Sequence, residues 1–396
     1  MSDLLVTGIG RLVTNAPRGA VEAGAVLIAG GRVAYAGPAA GLPPSGREAP
    51  VLDAGGRAVI PGFVDAHTHL VFAGDRADEF ARRLEGETYD EVLAAGGGIH
   101  RTVADTRAAS FEDLAAGAAA RARRMLAGGT TTVEIKSGYG LDTATEVRML
   151  RAARAVSEQT PIDVITTFLG AHVVDRNADR GEFLARVIEE MLPACAPFAD
   201  GCDVFCDRGA FTPDESRRVL AAGREAGLTP RIHAEQLAHT GGALLAAELG
   251  AASADHLEHA TPGDAAALRE AGVVAVLAPA VSWSMGAAPA PARMLWDAGV
   301  TVALATDCNP GTGYVESMPL VVALGCLELG LTPAESLWAA TRGGALALRL
   351  PDRGWLAEGA AGDLVVLDAA SETHLPYRPG TALVWKVVKG GVVVAG

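Results

Sequence analysis

Cysteine is scarce in this chain, with five residues in 396, and the five are scattered. An odd number at irregular spacing does not fit the disulfide framework of a small secreted protein. Cys202 and Cys206 stand close enough to form half of a structural zinc site, but the sequence has no second pair to complete four ligands. The cysteines therefore indicate neither a disulfide scaffold nor a zinc ribbon.

Long apolar runs and an excess of positive charge are missing as well. No stretch of about 18 uninterrupted apolar residues occurs, so no transmembrane helix is expected. No basic segment followed by an apolar core opens the chain, so no signal peptide is predicted. Lys and Arg number 33 against 47 Asp and Glu, which gives a net charge of −14. This acidic balance disfavours nucleic-acid and membrane binding, and we expect a cytoplasmic protein.

The two ends of the chain share one pattern, which is short apolar runs separated by turns. Gly30 and Gly31 supply a hairpin turn in the first part. Neither end has enough strands for a stable sheet of its own. We therefore expect residues 1–60 and 356–396 to form one small composite β-sandwich domain, with residues 61–355 inserted between them as a second domain.

The middle of the chain has a different pattern, in which short β-rich runs alternate with helical stretches. Such alternation implies parallel strands, and eight repeats predict an α/β fold with a closed (β/α)8 barrel of the TIM type. The alternative, an open sheet that binds a dinucleotide, would need a Gly-rich turn after the first strand, where residues 66–69 read AHTH. The eight runs are 63–66, 131–135, 164–169, 202–205, 230–232, 252–255, 273–277 and 301–305.

Histidines and one aspartate follow the predicted strands at the end where barrel enzymes hold their active sites. His67 and His69 are spaced i, i+2, which puts both rings on one face of an extended chain. His233 follows the fifth strand and Asp307 follows the eighth. Three imidazoles and a carboxylate suit zinc or iron and leave a coordination position open for water. The sequence therefore predicts one Zn²⁺ or Fe³⁺ ion per subunit on these four residues.

Two of the residues at the strand ends are candidates for catalysis. Asp307 can bind a metal and also carry a proton to and from the attacking water. His256, after the sixth strand, can hold an oxyanion, although a core histidine bonded to the backbone is the alternative. Lys136 follows the second strand, whereas the modified lysine that bridges two metals in some barrel hydrolases lies on the fourth. We therefore expect one metal, with Asp307 and His256 as the catalytic residues.

Three loops at the same end carry candidates for substrate binding. Arg76 can clamp a carboxylate, or it is a surface arginine in an acidic segment. Tyr139 lies in a Gly-flanked turn that can bring its phenol to a ligand. Residues 309–313 (NPGTG) expose backbone N–H groups and a hydroxyl that can hold a carboxylate, with an ordinary strand-to-helix loop as the alternative.

Several of these segments resemble a known family. Residues 61–69 (PGFVDAHTH) are similar to the first-strand motif of the amidohydrolase superfamily, and 362–368 (GDLVVLD) to its closing segment. Within that superfamily the chain resembles the imidazolonepropionase family over nearly its whole length. The segments that carry this narrower likeness are 69–76 (HLVFAGDR), 96–100 (GGGIH), 134–141 (EIKSGYGL), 233–236 (HAEQ), 253–257 (SADHL) and 306–311 (TDCNPG).

The resemblance implies a reaction and a set of contacts. The reaction is hydrolysis of 4-imidazolone-5-propanoate to N-formimidoyl-L-glutamate by a metal-activated water, in histidine degradation. Gln236 stands where some family members have Glu, and because Gln cannot act as a base, proton transfer is expected to fall to Asp307 and His256. A homodimer is expected, as is common for such barrels. The residues implied to contact this small anionic heterocycle are Arg76, Tyr139, His172, Gln236, Asn309, Gly311 and Thr312.

Other functions stay open at this point. One alternative is another amidohydrolase that acts on a cyclic amide or an aminated heterocycle, such as a cyclic-ureide hydrolase or a deaminase. Deaminases often place a Glu near the histidine of the fifth strand, and Glu235 is two residues past His233. An inactive scaffold relative would lack metal ligands, and none of the four predicted ligands is missing.

Overall fold

The computed structural model describes residues 3–17, 19–44, 48–87, 91 and 97–396, so Gly96 of the 96–100 segment lies outside the described residues. The strands, in chain order, are β1 (Leu4–Val13), β2 (Ala20–Ala29), β3 (Arg32–Pro38), β4 (Val51–Asp53), β5 (Ala58–Pro61), β6 (Phe63–Asp65), β7 (Thr130–Lys136), β8 (Asp163–Ala171), β9 (Gly201–Cys206), β10 (Thr229–Ala234), β11 (Ser253–His256), β12 (Val274–Leu277), β13 (Val302–Leu304), β14 (Leu364–Leu367), β15 (Val384–Lys389) and β16 (Val392–Ala395).

Helices connect most of these strands. Within the described ranges, none of them is both long and apolar enough to cross a membrane. The α-helices are Ala77–Leu84, Ile99–Ala108, Phe111–Ala127, Thr143–Gln159, Arg180–Arg186, Leu192–Cys195, Pro213–Glu225, Gly242–Leu249, Pro262–Ala271, Pro279–Met285, Ala292–Asp297, Met318–Leu327, Pro333–Trp338, Gly344–Ala347 and His374–Tyr377, with π-helical turns at Val187–Met191 and Ala339–Gly343 and 3₁₀ turns at Ala39–Gly41 and Ala196–Phe198.

Strands from both chain ends form one sheet, which we call the end sheet. Its order is β16-β15-β14-β5-β1-β2-β3, with β4 beside β1, so β14 from the C-terminal part pairs with β5 from the N-terminal part. Gly30 and Gly31 form the predicted turn between β2 and β3, and both have positive φ, which glycine adopts without strain. The domain boundaries near residues 60 and 356 stay a prediction.

The other eight strands, β6 to β13, lie side by side in chain order and are all parallel. Each predicted run overlaps one of them, and the predicted fold class, an α/β barrel with a sheet built from both chain ends, is confirmed. Closure occurs just beyond the first and last strands, where the N–H of His69 donates to Cys308 O and that of Asp307 to His67 O, both at 3.0 Å. This junction between the first and last strands, which we call the seam, is therefore closed by backbone hydrogen bonds at three of the predicted ligands.

Below that seam, a helical segment fills the space between the first and last strands. A Cβ at Gly344 would lie 2.2 Å from Val64 O, and a Cβ at Gly343 would lie 2.3 Å from Val302 O. Only glycine lets the helical backbone approach both strands this closely. The carboxylate of Asp65 adds a side-chain tie across the seam, since it accepts hydrogen bonds from the N–H and hydroxyl of Thr306 at 3.0 and 2.6 Å.

Candidate metal centre

The four predicted metal ligands meet at the mouth of the barrel, the end formed by the carboxyl ends of its strands. Asp307 Oδ1 lies 3.6 Å from His67 Nε2 and 3.4 Å from His69 Nε2. His233 Nε2 lies 3.4 Å from His69 Nε2. All four side chains are buried. Strand order therefore brings together residues that are up to 240 positions apart in the sequence.

The donor atoms of this cluster fit a metal ion. His67 Nε2 and Asp307 Oδ1 are buried and have no hydrogen-bond partner among the residues that the structure describes. Buried polar atoms are rarely left unpaired in folded proteins. Burial also holds the pKa of His67 and His69 well below the usual range, so both rings are neutral and can offer a lone pair. Three imidazole nitrogens and one carboxylate oxygen suit zinc or iron.

His256 stands beside the cluster, with its Nε2 3.8 Å from Asp307 Oδ2. Burial lowers the pKa of His256, but Glu258, whose carboxylate lies 3.9 Å from Nδ1, and the charge of Asp307 raise it to about 9. The ring is therefore protonated near neutral pH and can donate a hydrogen bond. His256 and Asp307 both have positive φ, at 78° and 45°. Backbone strain of this kind gathers at functional sites.

Two buried carboxylates that the sequence analysis missed hold the ligand rings in place. His67 Nδ1 lies 2.6 Å from Asp255 Oδ2, and His233 Nδ1 lies 3.0 Å from Asp203 Oδ2. The first contact is a hydrogen bond, whereas the second is a close approach of charged groups without hydrogen-bond geometry. A carboxylate attracts the ring N–H in both cases, which favours the proton on Nδ1 and leaves the Nε2 lone pair toward the cluster. The signal in the sequence was an Asp within a predicted barrel strand, at positions 203 and 255.

Lys136 lies beneath these carboxylates and is fully buried. Its Nζ is 2.9 Å from Glu134 Oε1, 2.9 Å from Asp203 Oδ2 and 3.6 Å from Asp255 Oδ2. Burial lowers the pKa of Lys136, but the three carboxylates outweigh it and raise the pKa above the usual range. A modified lysine that bridges two metals forms from the neutral amine, so this ammonium does not fit that role.

Tyr139 and His172, two of the implied substrate contacts, line one side of the cluster. The His172 ring stacks on His69, with centroids 5.0 Å apart and planes 18° apart, and lies 5.3 Å from the Tyr139 ring. Burial and the neighbouring His233 lower the pKa of His172 to about 3. The neutral ring donates from Nδ1 to Gly138 O at 3.1 Å, which leaves Nε2 as an acceptor.

Arg76 lies against the turn that follows the last strand. A Cβ at Gly311 would be 2.2 Å from Arg76 Nη1, so a side chain at position 311 would displace the guanidinium from this place. The Nε of Arg76 is held by Glu79 Oε2 at 2.7 Å, and its side chain is only 10% exposed. The arginine is therefore anchored inside the mouth, which disfavours the reading of Arg76 as a free surface residue.

The turn itself is tied together by Asn309. Its Oδ1 accepts the N–H groups of Gly311 and Thr312 at 2.9 and 2.8 Å, and its Nδ2 donates to Asp307 O at 2.7 Å. The expectation that these two N–H groups are open to a carboxylate is therefore wrong, because Asn309 already uses them. Substrate contact by Asn309, Gly311 and Thr312 stays a prediction.

Gln236 and Glu235 are neighbours in the loop after the fifth barrel strand, but they make different contacts. The backbone N–H of Gln236 donates to Asp207 Oδ2 at 2.7 Å, and its side chain is half-buried. The Glu235 carboxylate instead accepts the N–H groups of Thr240, Gly241 and Ala243 at 2.5, 3.0 and 3.0 Å. Glu235 is thus committed to the start of helix Gly242–Leu249, and the role of Gln236 toward a substrate stays a prediction.

Solved structures share this fold. A triazine hydrolase variant superposes with a TM-score of 0.80 at 20% sequence identity, covering 99% of this chain and 94% of that one. An adenosine deaminase from Xanthomonas campestris with bound zinc has a TM-score of 0.74 at 21% identity, covering 99% of this chain and 92% of that one. At these identities the likeness shows the architecture alone.

Sequence comparison is more specific. A family model described as amidohydrolase family matches residues 73–395. The imidazolonepropionase of Salinispora arenicola is 51% identical over 401 residues, covering 99% of both chains. That of Haloarcula marismortui is 51% identical over 381 residues, covering 94% of this chain and 90% of the relative. The chain therefore belongs to the amidohydrolase family and, within it, to the imidazolonepropionase family.

Proposed function

We propose that this hydrolase opens the cyclic amide of 4-imidazolone-5-propanoate by adding water, giving N-formimidoyl-L-glutamate in histidine degradation. The observation that carries the proposal is the convergence of His67, His69, His233 and Asp307 at the barrel mouth, in a chain 51% identical to imidazolonepropionases. Within the wider proposal, we also expect a homodimer and a cytoplasmic location.

These four side chains would hold one Zn²⁺ or Fe³⁺ ion per subunit. When bound, such an ion supplies Lewis acidity toward water and toward the ring carbonyl. Its ligands come from three separate strand ends and are backed by buried carboxylates, so their geometry is set by the fold before any ion arrives.

Asp307 is the proton carrier in this scheme. It takes a proton from the attacking water and passes it to the ring nitrogen that departs. Burial raises the pKa of Asp307 above the usual aspartate range, which suits a group that must accept a proton and release it again. Gln236 has no basic atom, and Glu235 is bound to backbone N–H groups, so neither competes for this role.

His256 stabilises the charge that develops on the carbonyl oxygen. Its protonated ring stands 3.8 Å from Asp307, close to where water would attack. A fixed donor in a buried site lowers the energy of an oxyanion far more than the same donor would in water.

The residues around the cluster orient the substrate. The anchored guanidinium of Arg76 binds the propanoate, and the rings of Tyr139 and His172 flank the imidazolone. Asn309 holds the turn behind Arg76. Fixing both ends of the substrate keeps the ring carbonyl over the reacting centre, which removes much of the entropic part of the barrier.

The proposal is tested with freshly made 4-imidazolone-5-propanoate and purified, metal-analysed protein. We expect loss of the ring's ultraviolet absorbance, a product heavier by one water, no ammonia, and sensitivity to chelator. Ammonia release would instead favour a deaminase. Bound metal without turnover would contradict the substrate and keep the site, and absence of both would contradict the proposal as a whole.

A further inference from the structure

We propose that Lys136 is a positioning residue for metal binding: through Asp203 and Asp255 it fixes the rings of His233 and His67 in the orientation that an ion requires. The inference deepens the proposed function and rests on its metal site. Within the described part of the chain, the Lys136 ammonium contacts the carboxylates behind the ligands and none of the four ligands directly.

The coupling depends on shared oxygen atoms. Asp203 Oδ2 lies 2.9 Å from Lys136 Nζ and 3.0 Å from His233 Nδ1. Asp255 Oδ2 lies 2.6 Å from His67 Nδ1 and 3.6 Å from Lys136 Nζ. Because one oxygen faces both the ammonium and the imidazole in each case, a change at Lys136 alters the acceptor that each ring depends on.

A third route reaches the backbone between the first two ligands. Glu134 places Oε1 2.9 Å from Lys136 Nζ, and its Oε2 accepts the N–H of Thr68 at 3.2 Å. Thr68 stands between His67 and His69. One buried ammonium therefore supports three of the four ligand positions from below.

Charge explains why the support must be a cation. Three fully buried carboxylates face the one ammonium of Lys136. Without it, the three carboxylates would lie close together with no lysine between them, and their repulsion would move Asp203 and Asp255 from their present positions. Each ring would then lose the acceptor that fixes its orientation.

The test measures metal affinity rather than turnover. Zn²⁺ binding is followed by competition with a chromophoric chelator for the wild-type protein and for Lys136→Met. Loss of a partner behind the ligands should weaken Zn²⁺ binding by about 10- to 100-fold, the usual effect of such changes. Simple Coulomb attraction predicts the opposite sign, since removing a positive charge should tighten the binding of a cation. Unchanged or tighter binding would overturn the proposal.

Lys389→Met is the matched control. Lys389 is also a lysine between carboxylates, with its Nζ 2.7 Å from Asp163 Oδ2 and 2.7 Å from Asp363 Oδ2, but it lies in strand β15 of the end sheet. This variant has the same change in net charge as Lys136→Met and should not weaken Zn²⁺ binding. If it weakens binding as much, the effect is not specific to Lys136 and the proposal fails.

Asp203→Asn tests whether the effect of Lys136 on Zn²⁺ binding passes through Asp203. The Asn carbonyl keeps an oxygen beside His233 Nδ1 and carries no charge that needs Lys136. The double variant Lys136→Met/Asp203→Asn should therefore bind Zn²⁺ less weakly than the product of the two single effects predicts, and strict additivity would contradict the route through Asp203.

If Lys136→Met does not fold, a second pair of variants tests the proposal. Asp255→Ala, which removes the acceptor behind His67, must then weaken Zn²⁺ binding while Glu146→Ala does not, because the Glu146 carboxylate is equally buried but accepts the N–H groups of Gly138, Gly140 and Leu141. Equal effects of the two would overturn the proposal. Absence of Zn²⁺ binding by the wild-type protein would instead show that the proposed metal site itself fails.

Discussion

The core of the end sheet and the mouth of the barrel bury opposite kinds of residue. The core of the end sheet is apolar, formed by side chains such as Val6, Ile28, Val59 and Leu364. The barrel mouth buries ionisable side chains to the same degree, and several of their polar atoms have no partner within the described chain. Apolar burial stabilises a fold at about 25 cal/mol per Å², whereas an unpaired buried polar group costs about 1–3 kcal/mol.

The comparison indicates that the apolar core of the end sheet adds stability to the fold, whereas the barrel mouth reduces it. Positive φ at Glu235, His256, Leu257 and Asp307 adds strain at the mouth. Strain and unpaired polar atoms persist only where the surrounding packing over-determines them. A mutation in the end sheet should therefore change the free energy of unfolding and spare catalysis, while a mutation at the mouth should do the reverse.

The largest effect is expected for Asp307→Asn. The amide cannot accept a proton as a base and is a poor metal ligand, so kcat should fall by at least about 10³-fold. The melting temperatures of the two metal-free proteins should be similar, because a buried carboxylate is replaced by an uncharged group of the same shape. Turnover is measured with 4-imidazolone-5-propanoate, and melting by circular dichroism.

Asp363→Asn in the end sheet is the control for that variant. Asp363 pairs with Lys389 Nζ at 2.7 Å and accepts the N–H of Gly390 at 2.9 Å. Its loss should lower the melting temperature and leave kcat unchanged. Near-full activity of Asp307→Asn, or loss of activity in Asp363→Asn, would break the division between the two regions.

The division also explains what the sequence could and could not predict. The position of His67, His69, His233 and Asp307 after β-rich runs was enough to expect a metal centre, because strand ends in a barrel converge by geometry. The barrel was predictable for the same reason, since alternation of strands and helices is a local pattern. Which side chains converge thus follows from strand order alone.

Partnerships between side chains were not predictable. Asp203, Asp255 and Glu134 looked like isolated charges within strands, and only the closed barrel shows that they share Lys136. The expectation that the turn at residues 309–313 exposes its N–H groups fails at Gly311 and Thr312 for a similar reason. A Gly-rich turn exposes N–H groups unless a neighbouring side chain takes them, and that depends on a rotamer, not on composition.

Leu364→Ala tests the end sheet from the stability side. Leu364 is fully buried in the core of that sheet, in strand β14, which joins the two chain ends. Truncation should cost about 2–5 kcal/mol of unfolding free energy, measured by urea denaturation. The kcat and KM of the folded fraction should not change. A loss of kcat greater than the loss of folded protein would show that the end sheet shapes the mouth.

Arg76→Met probes the rim of the mouth. A charge-assisted pair with the propanoate contributes about 1.5–3 kcal/mol, so KM should rise by about 10- to 100-fold with kcat nearly kept. Arg57→Met is the control, because Arg57 pairs with Asp368 at 3.1 Å beside the end sheet. An unchanged KM for Arg76→Met would count against the clamp.

The smallest effect concerns acid stability on the outer wall of the barrel. Glu335 accepts hydrogen bonds from Arg293 Nη1 at 2.9 Å and from the N–H of Thr332 at 2.8 Å. The bond from Arg293 has the larger effect, and together the two lower the pKa of Glu335 to about 2, although burial acts in the opposite direction. A carboxyl with a depressed pKa in the folded state adds stability that is fully present above its unfolded pKa of 4.5 and is lost as the pH falls toward 2. The melting temperature of the wild type should therefore exceed that of Glu335→Gln at pH 6, and the gap should shrink between pH 4.5 and 2. A gap that is constant or widens on acidification would contradict this assignment, and a change in kcat in this variant would show that the outer wall and the mouth are coupled after all.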